Sequence, residues 1–125
     1  MKKLLIVDDS TDLLDAMEII LLQKGYAVKT LSGWDNFYKE VIDFDPDLVI
    51  LDIFLAGKDG REICKELRNS IVSKYLCIML FSASPKALEN YKSFGADGFL
   101  EKPFGINSLI EKIETVLSSC KVKSV

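Results

Sequence analysis

Three runs of apolar residues in this chain each end in a side chain that a hydrophobic core rejects. Leu4-Leu5-Ile6-Val7 runs into Asp8 and Asp9, Leu48-Val49-Ile50-Leu51 into Asp52, and Cys77-Ile78-Met79-Leu80-Phe81 into Ser82. A fourth strand-like stretch, from Gly98 to Glu101, delivers Lys102 and then Pro103. Short continuous apolar runs without polar alternation mark strands buried on both faces, as in a parallel sheet. Parallel strands need long crossovers, so helices must lie between them.

The intervening stretches supply those helices. Leu13, Leu14, Met17, Ile20 and Leu21 recur at helical spacing, with Ser10 or Thr11 as the cap and Gly25 as the stop. Residues 26–31 alternate weakly and read as an edge strand. A second helix is expected over residues 35–43, burying Phe37 and Val41, with Trp34 a further candidate for burial just before it, and stopped by Pro46. A third is expected over 61–68, with Ile63 and Leu67 inward. Pro85 suits the first turn of a fourth helix running to Phe94 and ended by Gly95. A fifth, over 106–119, carries Leu109, Ile110, Ile113, Val116 and Leu117 on one stripe. Five strands alternating with five helices give an α/β fold. The expected architecture is a flavodoxin-like three-layer sandwich: a five-stranded parallel sheet in the order 2-1-3-4-5, with helices on both faces.

At 125 residues the chain has room for one domain, with a core over about 2–120 and a polar tail over 121–125. A net charge of −3 with no basic stripe argues against direct nucleic-acid binding. The N-terminal apolar run is too short for a signal peptide, and no run approaches a membrane span, so a cytoplasmic protein is expected. Cys64, Cys77 and Cys120 are odd in number and widely spaced. They read as free thiols of a reducing compartment. The chain has no histidine. A Ser-His-Asp site, a usual zinc site and an internal phosphohistidine are therefore excluded.

In open parallel sheets, ligands bind beyond the carboxyl ends of the strands where the strand order reverses. With strands one and three adjacent at that point, Asp8, Asp9 and Asp52 converge. Crowded carboxylates repel at low effective dielectric, and a hard divalent cation is the natural neutraliser. Mg²⁺, or Mn²⁺, fits a site of carboxylates, waters and phosphate oxygens. Three carboxylates and Lys102 sum to −2, which one such ion cancels. A dianionic phosphoryl donor could then approach a carboxylate nucleophile. Taken singly, each residue has a plainer role: Asp8 or Asp9 as a helix cap, Ser82 bonded to local backbone, Lys102 in a solvated loop. Their coincidence at four strand ends carries the inference.

Val7-Asp8-Asp9, Leu51-Asp52 with Leu55 and Asp59-Gly60 following, Ser82-Ala83 and Lys102-Pro103-Phe104 together resemble the receiver domain of two-component response regulators. The match spans nearly the whole chain, in order. The resemblance implies Asp52 as phosphoacceptor, and Mg²⁺ held by Asp8, Asp9, Asp52 and the Phe54 backbone carbonyl. It implies that Lys102 pairs with the phosphoryl group, that Ser82 moves to bond it, and that Phe99 is the aromatic switch. A cis Lys102–Pro103 bond is also implied. The donor would be a histidine kinase or histidine phosphotransfer protein. The output would be a protein target, or a second copy, meeting the face of helix 4, strand 5 and helix 5. Such a domain is a phosphoacceptor and slow autophosphatase, not a turnover enzyme. It stands alone or is part of a larger protein.

Two departures stand out. Ala56 replaces the family's usual proline, so greater loop mobility is expected. Phe54 and Ser84 occupy the positions thought to tune hydrolysis of the acyl phosphate, and bulky Phe54 suggests a long-lived phosphorylated state. Three other readings compete. A haloacid-dehalogenase-type phosphatase needs Asp-x-Asp after the first strand, whereas Asp8 and Asp9 are adjacent. A flavodoxin-type carrier needs a first loop that cradles a phosphate, which two carboxylates would repel. A phosphorylation-independent interaction module would have no use for the intact acidic set.

Overall fold

The structure, a computed structural model, describes residues 1–55 and 57–120. The mobility expected from Ala56 and the tail expected at 121–125 lie outside the described residues. Five strands form one parallel sheet: β1 (Lys3–Val7), β2 (Ala27–Leu31), β3 (Leu48–Asp52), β4 (Cys77–Ser82) and β5 (Gly98–Glu101). Their spatial order is β2-β1-β3-β4-β5, the order the sequence pattern predicts. The helices are α1 (Thr11–Gln23), α2 (Phe37–Asp43), α3 (Gly60–Arg68), α4 (Pro85–Leu88) and α5 (Ile106–Cys120).

Alternation along the strands builds a core on each face. Leu5, Val7, Val49, Leu51, Ile78 and Leu80 meet Phe37, Val41, Ile63, Leu67 and Leu88 on one side. Leu4, Ile6, Ile50, Met79 and Phe81 meet Leu14, Met17, Leu21, Leu109, Ile113 and Val116 on the other. Every residue of β3 and β4 is buried, including Asp52 and Ser82. The continuous apolar runs thus belong to the three inner strands, β1, β3 and β4, which are covered on both faces.

Register places the polar ends. Val7 lies opposite Leu51, and Asp52 lies opposite Phe81. Asp8 and Asp52 therefore stand at matching positions on adjoining strands, each one residue past that pair, and Ser82 extends the neighbouring one. At β5, Glu101 pairs with Ser82 and the Lys102 amide donates to the Ser82 carbonyl at 2.9 Å. The cap of α1 is Ser10, whose hydroxyl accepts from the Leu13 amide at 3.3 Å.

Two expectations need correction, and one small element is added. The fourth helix does not run from Pro85 to Phe94. It stops at Leu88, Glu89 is extended, and Asn90 is left-handed with φ 57°. A 3₁₀ turn then covers Tyr91–Phe94. Leu88 and Tyr91 are spaced as in a helix, so periodicity could not reveal the break. Asparagine tolerates the left-handed region, and its carbonyl accepts both the Ser93 amide and hydroxyl, starting the new turn. Next, the loop after Asp52 contains a small antiparallel hairpin, Phe54–Leu55 against Lys58–Asp59, that short polar spacing did not announce. Finally, Cys77 and Cys120 are not free thiols but a disulfide, with Cα atoms 5.8 Å apart. They lie 43 residues apart, and only the docking of α5 on the sheet brings the start of β4 to the end of α5. Cys64 is buried and keeps its thiol.

Candidate functional site

At the carboxyl edge of the sheet, oxygens of Asp8, Asp9 and Asp52 all lie within 4.8 Å of one another. Asp8 is fully buried, Asp52 is 6% exposed, and Asp9 faces solvent. Lys102 reaches in from the end of β5. Its ammonium is 2.5 Å from Asp8 Oδ2 and 3.6 Å from Asp52 Oδ2, and 4.8 Å from the centre of the Phe81 ring. The Lys102–Pro103 peptide bond is cis. Asp8 also accepts the Ser10 amide at 2.9 Å, so one carboxylate both starts the first loop and pairs with the lysine.

The carboxyl of Asp52 is pushed up to a pKa of about 6. Burial is the main cause and repulsion from Asp8 the next; Lys102 and the Phe54 backbone amide pull the other way, and Asp9 adds a smaller push. One ammonium does not neutralise three converging carboxylates. Hard oxygen donors at this separation, with a net charge of −2, suit a divalent cation such as Mg²⁺.

A family model for the response regulator receiver domain matches residues 4–114. The chain belongs to this family. Solved receivers share the fold. A putative response regulator from Chloroflexus aurantiacus J-10-fl is 28% identical with a TM-score of 0.85, the match covering 94% of this chain and 98% of that one. The receiver domain protein (CheY-like) of Methanospirillum hungatei JF-1 is 26% identical with a TM-score of 0.86, covering 98% of both chains. NtrX from Brucella abortus is 30% identical with a TM-score of 0.88, covering 99% of this chain but 28% of that longer one. Receiver domains are signalling domains rather than turnover enzymes, and they generally bind Mg²⁺ at an acidic pocket of this kind.

Within this receiver, Ser82 is buried at the end of β4, its hydroxyl accepting the Ser84 amide at 3.0 Å. Phe99 is half-buried on β5, opposite Leu80 in register. Alternation puts Ser82 and Phe99 on one face of the sheet. Tyr91 covers the Phe99 ring at 4.9 Å between centroids, and the Lys112 ammonium lies 5.1 Å from it. The break in α4 is what delivers Tyr91 to this place.

The loop beyond the acceptor has contacts that the motifs do not reveal. Gly60 sits so close to the acceptor that a Cβ there would lie 2.5 Å from the Asp52 carbonyl oxygen. Its amide donates to the Ile53 carbonyl at 2.7 Å, and the Ile53 amide donates to Phe81 at 3.1 Å. Phe54 is exposed, and the Arg61 guanidinium stands 5.8 Å from its ring while chelating Asp59. The Trp34 indole, from the loop after β2, donates to the Leu55 carbonyl at 2.9 Å. A glycine after an aspartate is the only sequence hint of this tight loop.

Proposed function

We propose that this receiver accepts a phosphoryl group on Asp52 in a Mg²⁺-dependent reaction and uses it to switch protein contacts. Residues 1–125 act as one such domain. The observation carrying this reading is the convergence of Asp8, Asp9 and Asp52 within 4.8 Å, with the Lys102 ammonium 3.6 Å from Asp52.

Asp8, Asp9, Asp52 and the Phe54 carbonyl would hold the cation. When bound, Mg²⁺ supplies positive charge to the carboxylates and to the equatorial oxygens of the incoming phosphoryl group. The donor is a phosphohistidine of a kinase or phosphotransfer protein, since these residues include no histidine. An Asp52 oxygen attacks phosphorus as the P–N bond breaks. The electron pair leaves on the imidazole nitrogen, which takes up a proton. Lys102, already between Asp8 and Asp52, turns its charge to the phosphoryl oxygens. The Ser82 hydroxyl then leaves the Ser84 amide, from which it accepts, and donates its proton to a phosphoryl oxygen.

Withdrawal of Ser82 leaves space on the face it shares with Phe99, and rotation of Phe99 alters the surface formed by α4, β5 and α5. Phosphorylation biases this equilibrium by roughly 1–3 kcal/mol. A protein target or a second copy meets that surface.

Incubation with Mg²⁺ and acetyl phosphate, read by intact mass, tests the reading. Wild type is expected to gain one phosphoryl group, a gain abolished when a chelator is present from the start, while Asp52→Asn gains none. Equal labelling of both proteins overturns the assignment.

A further inference from the structure

The backbone that follows Asp52 is tied down on both sides of Phe54. On one side, the Ile53 amide donates to Phe81 and the Ile53 carbonyl accepts from Gly60. On the other, Leu55 is fastened through its carbonyl to the indole of Trp34, a residue 21 positions away in another loop. This second tie is buried. Trp34 is 9% exposed, Leu55 is 1% exposed, and the Trp34 ring stands edge-on to fully buried Phe37 at 5.2 Å. The indole therefore cannot drift without opening the core, and the carbonyl is denied water as an alternative partner. A buried carbonyl bonded by a rigid, wedged donor has one orientation. Phe54 is the residue between the two ties. Its carbonyl is the backbone ligand of the metal site proposed above, and its amide faces Asp52.

We propose that Trp34 is a positioning residue: its indole N–H, bonded to the Leu55 carbonyl, sets the orientation of the Phe54 peptide and so the affinity of the acidic site for Mg²⁺. The inference rests on the proposed metal site. Hydrogen-bond partners behind a ligand tune metal affinity by orienting it, and the carbonyl bonded in this case belongs to the peptide next to the ligand's own. Here the orienting group is an aromatic donor from a different loop. The tie also gives the chain an internal reporter, because Trp34 is its single tryptophan.

The test is Mg²⁺ binding, by calorimetry and by the shift of unfolding temperature with Mg²⁺ concentration, in wild type, Trp34→Phe and Phe37→Leu. Trp34→Phe keeps an aromatic ring and removes the donor. It is expected to weaken Mg²⁺ by about three- to tenfold, the worth of one neutral hydrogen bond. Labelling by acetyl phosphate should need correspondingly more Mg²⁺ yet reach the same rate at saturation. Phe37→Leu loosens the same core without touching the bond, and should lower the unfolding temperature while leaving the Mg²⁺ midpoint in place. If Trp34→Phe fails to fold, biosynthetic replacement of tryptophan by its benzothienyl analogue, which swaps N–H for sulfur in nearly the same shape, makes the same comparison. An unmoved midpoint with the donor removed, or an equal shift in Phe37→Leu, overturns the inference. Wild type that binds no Mg²⁺ overturns the metal site itself, and the inference with it.

Discussion

Burial and the neighbouring Asp8 raise the Asp52 carboxyl to a pKa of about 6, from 3.8 in an unfolded chain. A folded-state pKa above the unfolded one makes a group's contribution to stability fullest below pH 3.8, and that contribution is lost as pH climbs through about 6. Metal-free Asp52→Asn should therefore be more stable than wild type at pH 8, by on the order of 1–3 kcal/mol. The gap should close toward pH 4. Urea denaturation in a chelator at the two pH values checks this, and a gap independent of pH would contradict the electrostatic account. Adding Mg²⁺ should raise the unfolding temperature of wild type far more than that of the variant. Two further changes act beside the acceptor. Gly60→Ala drives a methyl into the Asp52 backbone and should cost about 1–3 kcal/mol in the same assay. Phe54→Asn replaces an exposed ring with an amide able to orient water, so the acyl phosphate should decay faster once the donor is removed. An unchanged or slower decay would count against Phe54 as the brake.

Among the elements, α3 and the 3₁₀ turn are clamped by one side chain. Arg68 donates to the Gly95 carbonyl at 2.7 Å, to the Leu76 and Lys74 carbonyls, and to Asp97 Oδ2 at 2.7 Å. The same Asp97 oxygen accepts the Ile78 amide at 2.9 Å, so the clamp reaches the start of β4. Arg68→Ala should destabilise the fold by about 2–4 kcal/mol in urea, with Arg68→Lys recovering little, because only the planar fork reaches several acceptors together. Full recovery by lysine would reduce the clamp to simple charge. None of this was legible in the sequence, where Arg68 is one more cation on a helix. The strands were legible because burial on both faces demands uninterrupted apolar runs. The lower half of the expected fourth helix was not, since Asn90 breaks it through a local backbone preference that periodicity does not record.

For the molecule as a whole, the strand ends were readable because charge at the end of a buried run is costly and needs a reason. The acidic trio, Ser82 and Lys102 could thus be named before their geometry was known, whereas Phe99 was named from the family resemblance alone. The disulfide could not, because its partners meet only after α5 docks. Closing a loop of 43 residues restricts the unfolded chain by up to about 4 kcal/mol in the chain-entropy account. Reduction, or Cys120→Ser, should lower stability by a measurable part of that, with thiol titration rising from one group to three on reduction of the unfolded wild type. Three reactive thiols before reduction would contradict the crosslink.

The pairing of Val7 with Leu51 has one more implication. A slip of a single rung would turn the apolar side chains of a strand to the wrong face and also pull its terminal carboxylate away from the others. The same ladder that seals the interior thus serves as a ruler for the chemistry, and random drift cannot spoil the alignment of the acids without first unmaking the packing on both faces of the sheet.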